Sequence, residues 1–313
     1  MKLEQIHIPV LLKEVLGYLN PKPGDVIFDG TLGGAGHTAA IFKAIAPTGK
    51  IIAVDHDSKA ISTAASLFKD CENIFFSKGN FAEVADIIKK FGIKKIDGFF
   101  LDIGLSSIQI DKSGRGFSYI RDEKLDMRMD ESNPVTAFKV INEYSEEKLK
   151  EIFFSFGEEK YSARIARKIV SGRRNRPIET TVHLNEIIES AIPAKERFSK
   201  RGHPSKRIFQ AVRIEVNKEL ENLSRAIDEG FEVLNKGGRM VIISYHSLED
   251  RIVKNKFIDF NGKCTCPPGL PVCICGVKKR AEIITKKVVT PNEREISANK
   301  RASSAKLRAL EKL

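Results

Sequence analysis

Residues 29–38 read DGTLGGAGHT, an acid followed by four glycines within the next seven positions. The spacing Gly34-x-Gly36-x-x-Ala39 meets the dinucleotide-binding fingerprint, and Asp55 follows Gly34 by 21 residues, where a ribose-binding acid belongs. Asn80–Phe81 and Asp102 close two further apolar runs. A dinucleotide site accounts for the loop and for Asp55, but a carboxylate at Asp29 would repel a pyrophosphate. S-adenosylmethionine has no phosphate; it offers an ammonium, a sulfonium, a ribose and an adenine. Acids facing its positive groups, glycines allowing close backbone approach, Asp55 for the ribose and Phe81 for the adenine suit it better. The loop is therefore expected to hold a methyl donor; a nicotinamide-dependent oxidoreductase is the rival reading.

These groups need a scaffold that brings them to one edge. DVIFD (25–29), IIAVD (51–55), IFFSKGNF (74–81) and IDGFFLDIGLSS (96–107) read as strands, separated by helical stretches. Nearly all-apolar strands alternating with helices predict a parallel sheet covered on both faces, with ligands at the strands' carboxyl ends. From about 108 to 206 that rhythm stops and helical patterns take over, among them SEEKLKEIFFSFG, YSARIARKIVSGRR and TTVHLNEIIESAI, the last with Thr180 or Thr181 as its N-cap. One long amphipathic helix, from Ile208 to Leu234, then leads through NKGG into the strand RMVIISYHS. The expected organisation is a methyltransferase-type domain in two parts, 1–107 and 207–313, split by an inserted helical RNA-recognition domain, 108–206. A basic tail with weak strand character in EIITKKVV closes the chain.

Charge is concentrated. The chain carries +12, but residues 160–207 hold 13 Lys/Arg against 4 Asp/Glu and residues 276–313 hold 11 against 4, so the remainder is mildly acidic. Two basic segments on such a body point to a polyanion, and nucleic acid suits them better than a membrane because no apolar anchor accompanies them. No apolar run reaches the length of a membrane span, and the N-terminal stretch lacks the core of a signal peptide, so a cytoplasmic protein is expected. Four of the five cysteines, Cys264, Cys266, Cys273 and Cys275, fall within twelve residues. They would suit either a tetrahedral zinc site or a plain Pro-rich hairpin; the hairpin is preferred and no metal is expected.

The stretches HIPVLLKEV, DGTLGGAGHT, VDHD, FLDIGLSSIQID, GRGFSY with LDMRMD, GEEKYSARIARKIV, HPSKRIFQAVRIEVN, SYHSLEDRIVK and SSAKLRALEK span nearly the whole chain. In them the sequence resembles the MraW/RsmH family of ribosomal RNA methyltransferases. The resemblance implies a class I S-adenosylmethionine-dependent methyltransferase: an α/β, Rossmann-like, doubly wound and mostly parallel sheet with an inserted all-α domain. It implies methyl transfer to the exocyclic N4 of a cytidine in the decoding region of 16S rRNA, in the small ribosomal subunit. By motif, the cofactor contacts would be Ala35, Gly36, His37, Asp55, Phe81, Asp102 and Gln109. Ala35 stands where many relatives have glycine, a change the backbone accepts at negative φ.

Methyl transfer to an amino nitrogen asks the protein mainly for alignment, together with an acceptor for the amino hydrogens. Asp102 and His246, each after a strand, are the candidate catalytic residues. A target base must leave its stack to reach them. Arg164, Arg167, Lys168, Arg173, Arg174, Arg176, Lys206 and Arg207 are candidates for gripping RNA phosphates. A non-catalytic RNA-binding assembly factor would keep this basic set but has no use for aligned strand-end groups.

Overall fold

The computed structural model describes residues 9–104, 114–197, 203–262, 266 and 276–313. The chain divides into two compact units, one formed by Met1–Gly104 with Leu220–Leu313, the other by Leu105–Glu219.

The first unit holds a sheet of seven strands: β1 (Val26–Asp29), β2 (Lys50–Asp55), β3 (Ile74–Lys78), β4 (Ile96–Asp102), β5 (Leu234–Ser244), β6 (Ala281–Ile283) and β7 (Lys306–Lys312), in the order β3-β2-β1-β4-β5-β7-β6. The first five run parallel; β7 is antiparallel to β5 and to β6. Its first four helices are α1 (Leu12–Leu19), α2 (Gly36–Ile45), α3 (Ser58–Leu67) and α4 (Val84–Lys90). The doubly wound, mostly parallel α/β sheet expected from the apolar runs is therefore present.

Side-chain alternation explains why both faces need cover. Phe28, Ile52, Val54, Phe99 and Leu101 enter one core, while Ile27, Ile51, Ala53, Phe100, Val241 and Ile243 enter the other. With period two along each strand, near-continuous apolar runs supply both faces at once.

The second unit is helical among its described residues: α5 (Ala137–Glu143), α6 (Glu146–Ser155), α7 (Ser162–Arg173), α8 (Thr181–Ala191), α9 (Ala194–Arg197) and α10 (Pro204–Asn217). Thr136, Ser145 and Thr180 cap α5, α6 and α8, each accepting a backbone amide of the first turn. Its own core gathers Leu149, Ile152, Phe153, Ile165, Ile169, Leu184, Ile188 and Val212.

Two expectations need correction. The single helix over Ile208–Leu234 is two helices, α10 and α11 (Glu219–Val233), because Lys218 takes a left-handed conformation at φ 51°. The boundary expected after residue 206 falls inside α10, whose Ile208, Phe209, Ala211 and Val212 belong to the helical core; the division falls after Glu219. The tail is also more ordered than a basic extension. KLRALEK forms β7, and the EIITKKVV stretch contributes only its first residues to the short β6.

Candidate active site

Register brings the acids to one face. Asp29 pairs with Ala53 and with Phe100, so Asp55 and Asp102 each lie two residues beyond the level of Asp29 on the flanking strands. Steps of two keep side chains on the same face, so the three carboxylates share the face of Ala53 and Phe100. Asp102 in turn pairs with Ile243, which places Tyr245, two residues further, on that face as well.

Asp29 is fully buried and turned inward. It accepts the Thr38 hydroxyl at 2.6 Å and the Thr31 amide at 3.0 Å, so it ties the glycine loop to the start of α2. Burial pushes its carboxyl above the usual range, against those two hydrogen bonds. Its expected place facing a ligand's positive groups is thus corrected: its oxygens are taken up by its own loop. Thr31 reaches the other way, its hydroxyl accepting the Asp102 amide at 2.7 Å.

Asp55 accepts the Gly33 amide at 2.8 Å with Oδ2 and the Asp57 amide at 2.8 Å with Oδ1. It is half-buried, and burial raises its pKa more than these amides lower it. Each oxygen keeps a second lone pair for a ligand hydroxyl. Gly33 has φ +46°, and a Cβ there would meet nothing nearer than the Thr31 carbonyl at 3.9 Å, so this part of the loop is open. Gly30 is the opposite case. A Cβ there would lie 2.4 Å from Leu101 and 2.8 Å from Phe81, so only glycine lets the loop pass so near the adjoining strand end. Phe81 opens a 3-10 turn capped by Asn80, half-buried with its ring edge-on to His56 at 6.3 Å.

Ala35 lies at the N-cap of α2 with φ 60°, not at the negative φ expected for an alanine. The chain accepts left-handed strain here, about 1–2 kcal/mol in L-residues, so that α2 can begin at Gly36. No side chain caps α2, which leaves the amides of its first turn facing the loop. Such an end attracts an anionic group.

His37 is buried at 7% exposure, its ring against Phe100 at 4.8 Å. Its Nε2 lies 2.9 Å from the Val10 carbonyl, which can only accept, so Nε2 carries a proton and Nδ1 faces Asp102 Oδ2 at 3.7 Å. Any ligand contact from this residue would therefore come from its backbone. Asp102 Oδ1 also accepts the Gly104 amide at 3.3 Å. Tyr245 adjoins it: a Cβ at Gly104 would lie 2.9 Å from the Tyr245 ring and 3.3 Å from Asp102 Oδ1, and burial, followed by the Asp102 charge, pushes the phenol far above its usual range. Tyr245 was not anticipated in the sequence; its signal is the step of two beyond the residue that pairs with Asp102.

His246 has another task. It is the N-cap of α12 (Ser247–Phe260): Nδ1 accepts the Glu249 amide at 3.4 Å while Glu249 accepts the His246 amide at 3.2 Å, a reciprocal capping box. Nε2 sits 3.0 Å from Glu249 Oε1 but off the line a hydrogen bond requires. His246 thus caps α12 through Nδ1, and its Nε2 is buried without a hydrogen-bond partner. Gln109 lies outside the described residues, as do Cys264, Cys273 and Cys275.

The basic side chains of the helical unit divide into two kinds. Arg164, Arg167, Lys168, Arg174, Arg176 and Lys206 are exposed. Arg173 donates to the Ile141 and Tyr144 carbonyls, both at 2.6 Å, closing the end of α5. Arg207 pairs with Glu159, a carboxylate only 1% exposed. Arg173 and Arg207 are therefore structural and leave the phosphate-gripping set. No helix among the described residues is long and apolar enough to cross a membrane.

Comparison with known proteins follows this geometry. The sequence model of the MraW methylase family matches residues 4–313. A ribosomal RNA small subunit methyltransferase H from Clostridium botulinum (strain Loch Maree) is 49% identical over 98% of this chain and 99% of its own. One from Finegoldia magna is 46% identical over 98% of each. A solved structure from Clostridium thermocellum, described as a putative rRNA-methylase, aligns over 98% of this chain and 100% of its own, with a TM-score of 0.46 and 11% identity.

Proposed function

The chain belongs to the MraW methylase family, and from that premise we propose that it methylates the exocyclic N4 of a cytidine in the decoding region of 16S rRNA. The methyl group comes from S-adenosylmethionine. The observation that carries this reading is the set of strand-end carboxylates, Asp55 and Asp102, on one face beside a glycine loop that runs into an uncapped helix.

The donor set suits this cofactor. The first-turn amides of α2, at Gly36 and His37, suit its carboxylate, with Ala35 setting their direction. The free lone pairs of Asp55 suit two ribose hydroxyls, and Phe81 offers an aromatic wall for adenine. Gln109 completes the set. Asp29 is turned inward and Asp55 would suit a dinucleotide's ribose as well, so the preference over a nicotinamide dinucleotide rests on the family and on Asp102 at the end of β4. The cofactor supplies a methyl already made electrophilic by its sulfonium.

The protein's remaining work is placement. Asp102 accepts hydrogens of the target amine, which concentrates electron density on nitrogen and holds its lone pair in line with the methyl. A carbon target at C5 would call for a thiolate nucleophile. Cys71 follows α3, packs against the core and lies away from the carboxyl ends of β4 and β5. Exposed Arg164, Arg167, Lys168, Arg174, Arg176 and Lys206 grip RNA phosphates while the base is extruded.

Calorimetry and label transfer test this reading together. The protein should bind S-adenosylmethionine, ignore NAD, and pass labelled methyl to 16S RNA, alone or in small subunits, as N4-methylcytidine. Binding of NAD instead, or a 5-methylcytidine product, would contradict it.

A further inference from the structure

Asp102 can serve the reaction only if its carboxylate holds one orientation, and its surroundings show how that is achieved. On one side His37 supplies no bond: with Nε2 donating to the Val10 carbonyl, Nδ1 stands 3.7 Å from Oδ2, beyond hydrogen-bond reach. On the other side lies Tyr245. Its ring is stacked so close to Gly104 that a Cβ there would come within 2.9 Å of Cε2 and 3.1 Å of Cζ. Its backbone amide is fixed by Glu249 Oε2 at 2.8 Å, itself a member of the capping box that starts α12. The phenol therefore has a fixed ring plane and a fixed backbone, on the face of Asp102, whose Oδ1 lies 3.3 Å from the same Gly104 Cβ position that the ring crowds.

We propose that Tyr245 is a positioning residue for methyl transfer, its hydroxyl orienting the Asp102 carboxylate toward the target amine. The proposal rests on the role given above to Asp102. A phenol suits this task because it gives one directed hydrogen bond and remains a donor across the working pH range, its proton held by burial and by the neighbouring carboxylate. By occupying one lone pair of Asp102 it leaves the opposite lone pairs for the amino hydrogens. Gly104 is required by the same arrangement, because any side chain there would displace the ring.

Tyr245→Phe in the full chain removes the hydroxyl and keeps the ring. At saturating S-adenosylmethionine and 16S RNA, the single-turnover methylation rate should fall about tenfold or more, about 1.4 kcal/mol of barrier. The cofactor Kd should stay within about twofold of the wild-type value, and the melting temperature should not move appreciably, a split that a merely structural tyrosine would not produce. Gly104→Ala would press on Asp102 Oδ1 as well as on the ring, so Tyr245→Leu, which removes the hydroxyl without touching Asp102, serves if the phenylalanine variant does not fold and should lose rate in the same way. A wild-type rate in either folded variant would overturn the proposal, as would a rate loss matched by an equal loss of cofactor affinity. Asp102→Ala run in parallel separates the two readings. Wild-type turnover there would remove Asp102 and Tyr245 together, whereas an inactive Asp102→Ala beside a fully active Tyr245→Phe would remove Tyr245 alone.

Discussion

Asp55 commits both carboxylate oxygens to backbone amides, Gly33 on one side and Asp57 on the other. It therefore shapes the loop as well as offering lone pairs to a ribose. Asp55→Ala should weaken S-adenosylmethionine binding by roughly 1.5–3 kcal/mol, the range for hydrogen bonds to a charged group. Calorimetry on a variant shown to be folded checks this, and unchanged affinity would take Asp55 out of the site. Ala35 makes a second prediction, on stability. With φ 60° it carries a left-handed penalty that glycine would not. Ala35→Gly should therefore raise stability by about 0.5–1 kcal/mol after the greater freedom of glycine in the unfolded chain is deducted. A urea titration reads it directly. The type of residue at these positions was legible in the sequence because each acid ends an apolar run. The sign of φ at Ala35 was not, since it depends on how the loop must turn to launch α2.

At the scale of elements, a run of positive charge proved to contain two different things. Spacing along the helices of 160–207 cannot say whether a guanidinium meets solvent or folds back on a carbonyl. Arg174 and Arg176 are exposed, whereas Arg207 neutralises buried Glu159. Arg207→Ala should destabilise the protein by about 3 kcal/mol or more, because it leaves a buried carboxylate without its partner. Neutralising Arg174 and Arg176 together should leave the denaturation midpoint unchanged. That pair should instead weaken RNA binding and reduce its salt slope by roughly 0.7 per lost single-strand phosphate contact. An unchanged slope would reassign these arginines to solubility. The parallel strands were readable for the opposite reason: a strand buried on both faces is apolar almost throughout, a pattern few other elements share. KLRALEK has no such run. Its charges sit on an antiparallel strand near the sheet edge, where polar residues are tolerated, and its strand state depends on pairing with β5 and β6.

Over the whole molecule, the C-terminal strand is fastened to the sheet by charge as well as by backbone pairing. Arg308 on β7 donates to Asp250 on α12 at 2.7 and 3.2 Å, with Lys306 at 3.5 Å. Burial alone would raise the Asp250 pKa, but Arg308 and Lys306 outweigh it and hold the carboxyl below its usual range. A carboxyl whose folded pKa is depressed stabilises the protein above its unfolded pKa, about 4, and that contribution is lost as pH falls through the folded value. Asp250→Ala should accordingly cost about 2 kcal/mol at pH 7, and the gap to wild type should narrow progressively below about pH 4. Urea titrations at pH 7 and at about pH 3.5 would show it, and a gap independent of pH would exclude the ion pair as its cause.

The central claim concerns the atom that receives the methyl group. Asp102, with Tyr245 packed beside it, fits an amino nitrogen that needs alignment and an acceptor, and Cys71 lies away from the strand ends where a carbon target would need a nucleophile. Mass spectrometry of nucleosides from the decoding region of 16S RNA, taken from cells with and without this protein, addresses the point most directly. The account predicts that one cytidine loses an N4-methyl group when the protein is absent and regains it when the wild-type chain, but not Asp102→Ala, is restored. An unaltered N4-methylcytidine level, or the loss of 5-methylcytidine in its place, would contradict it.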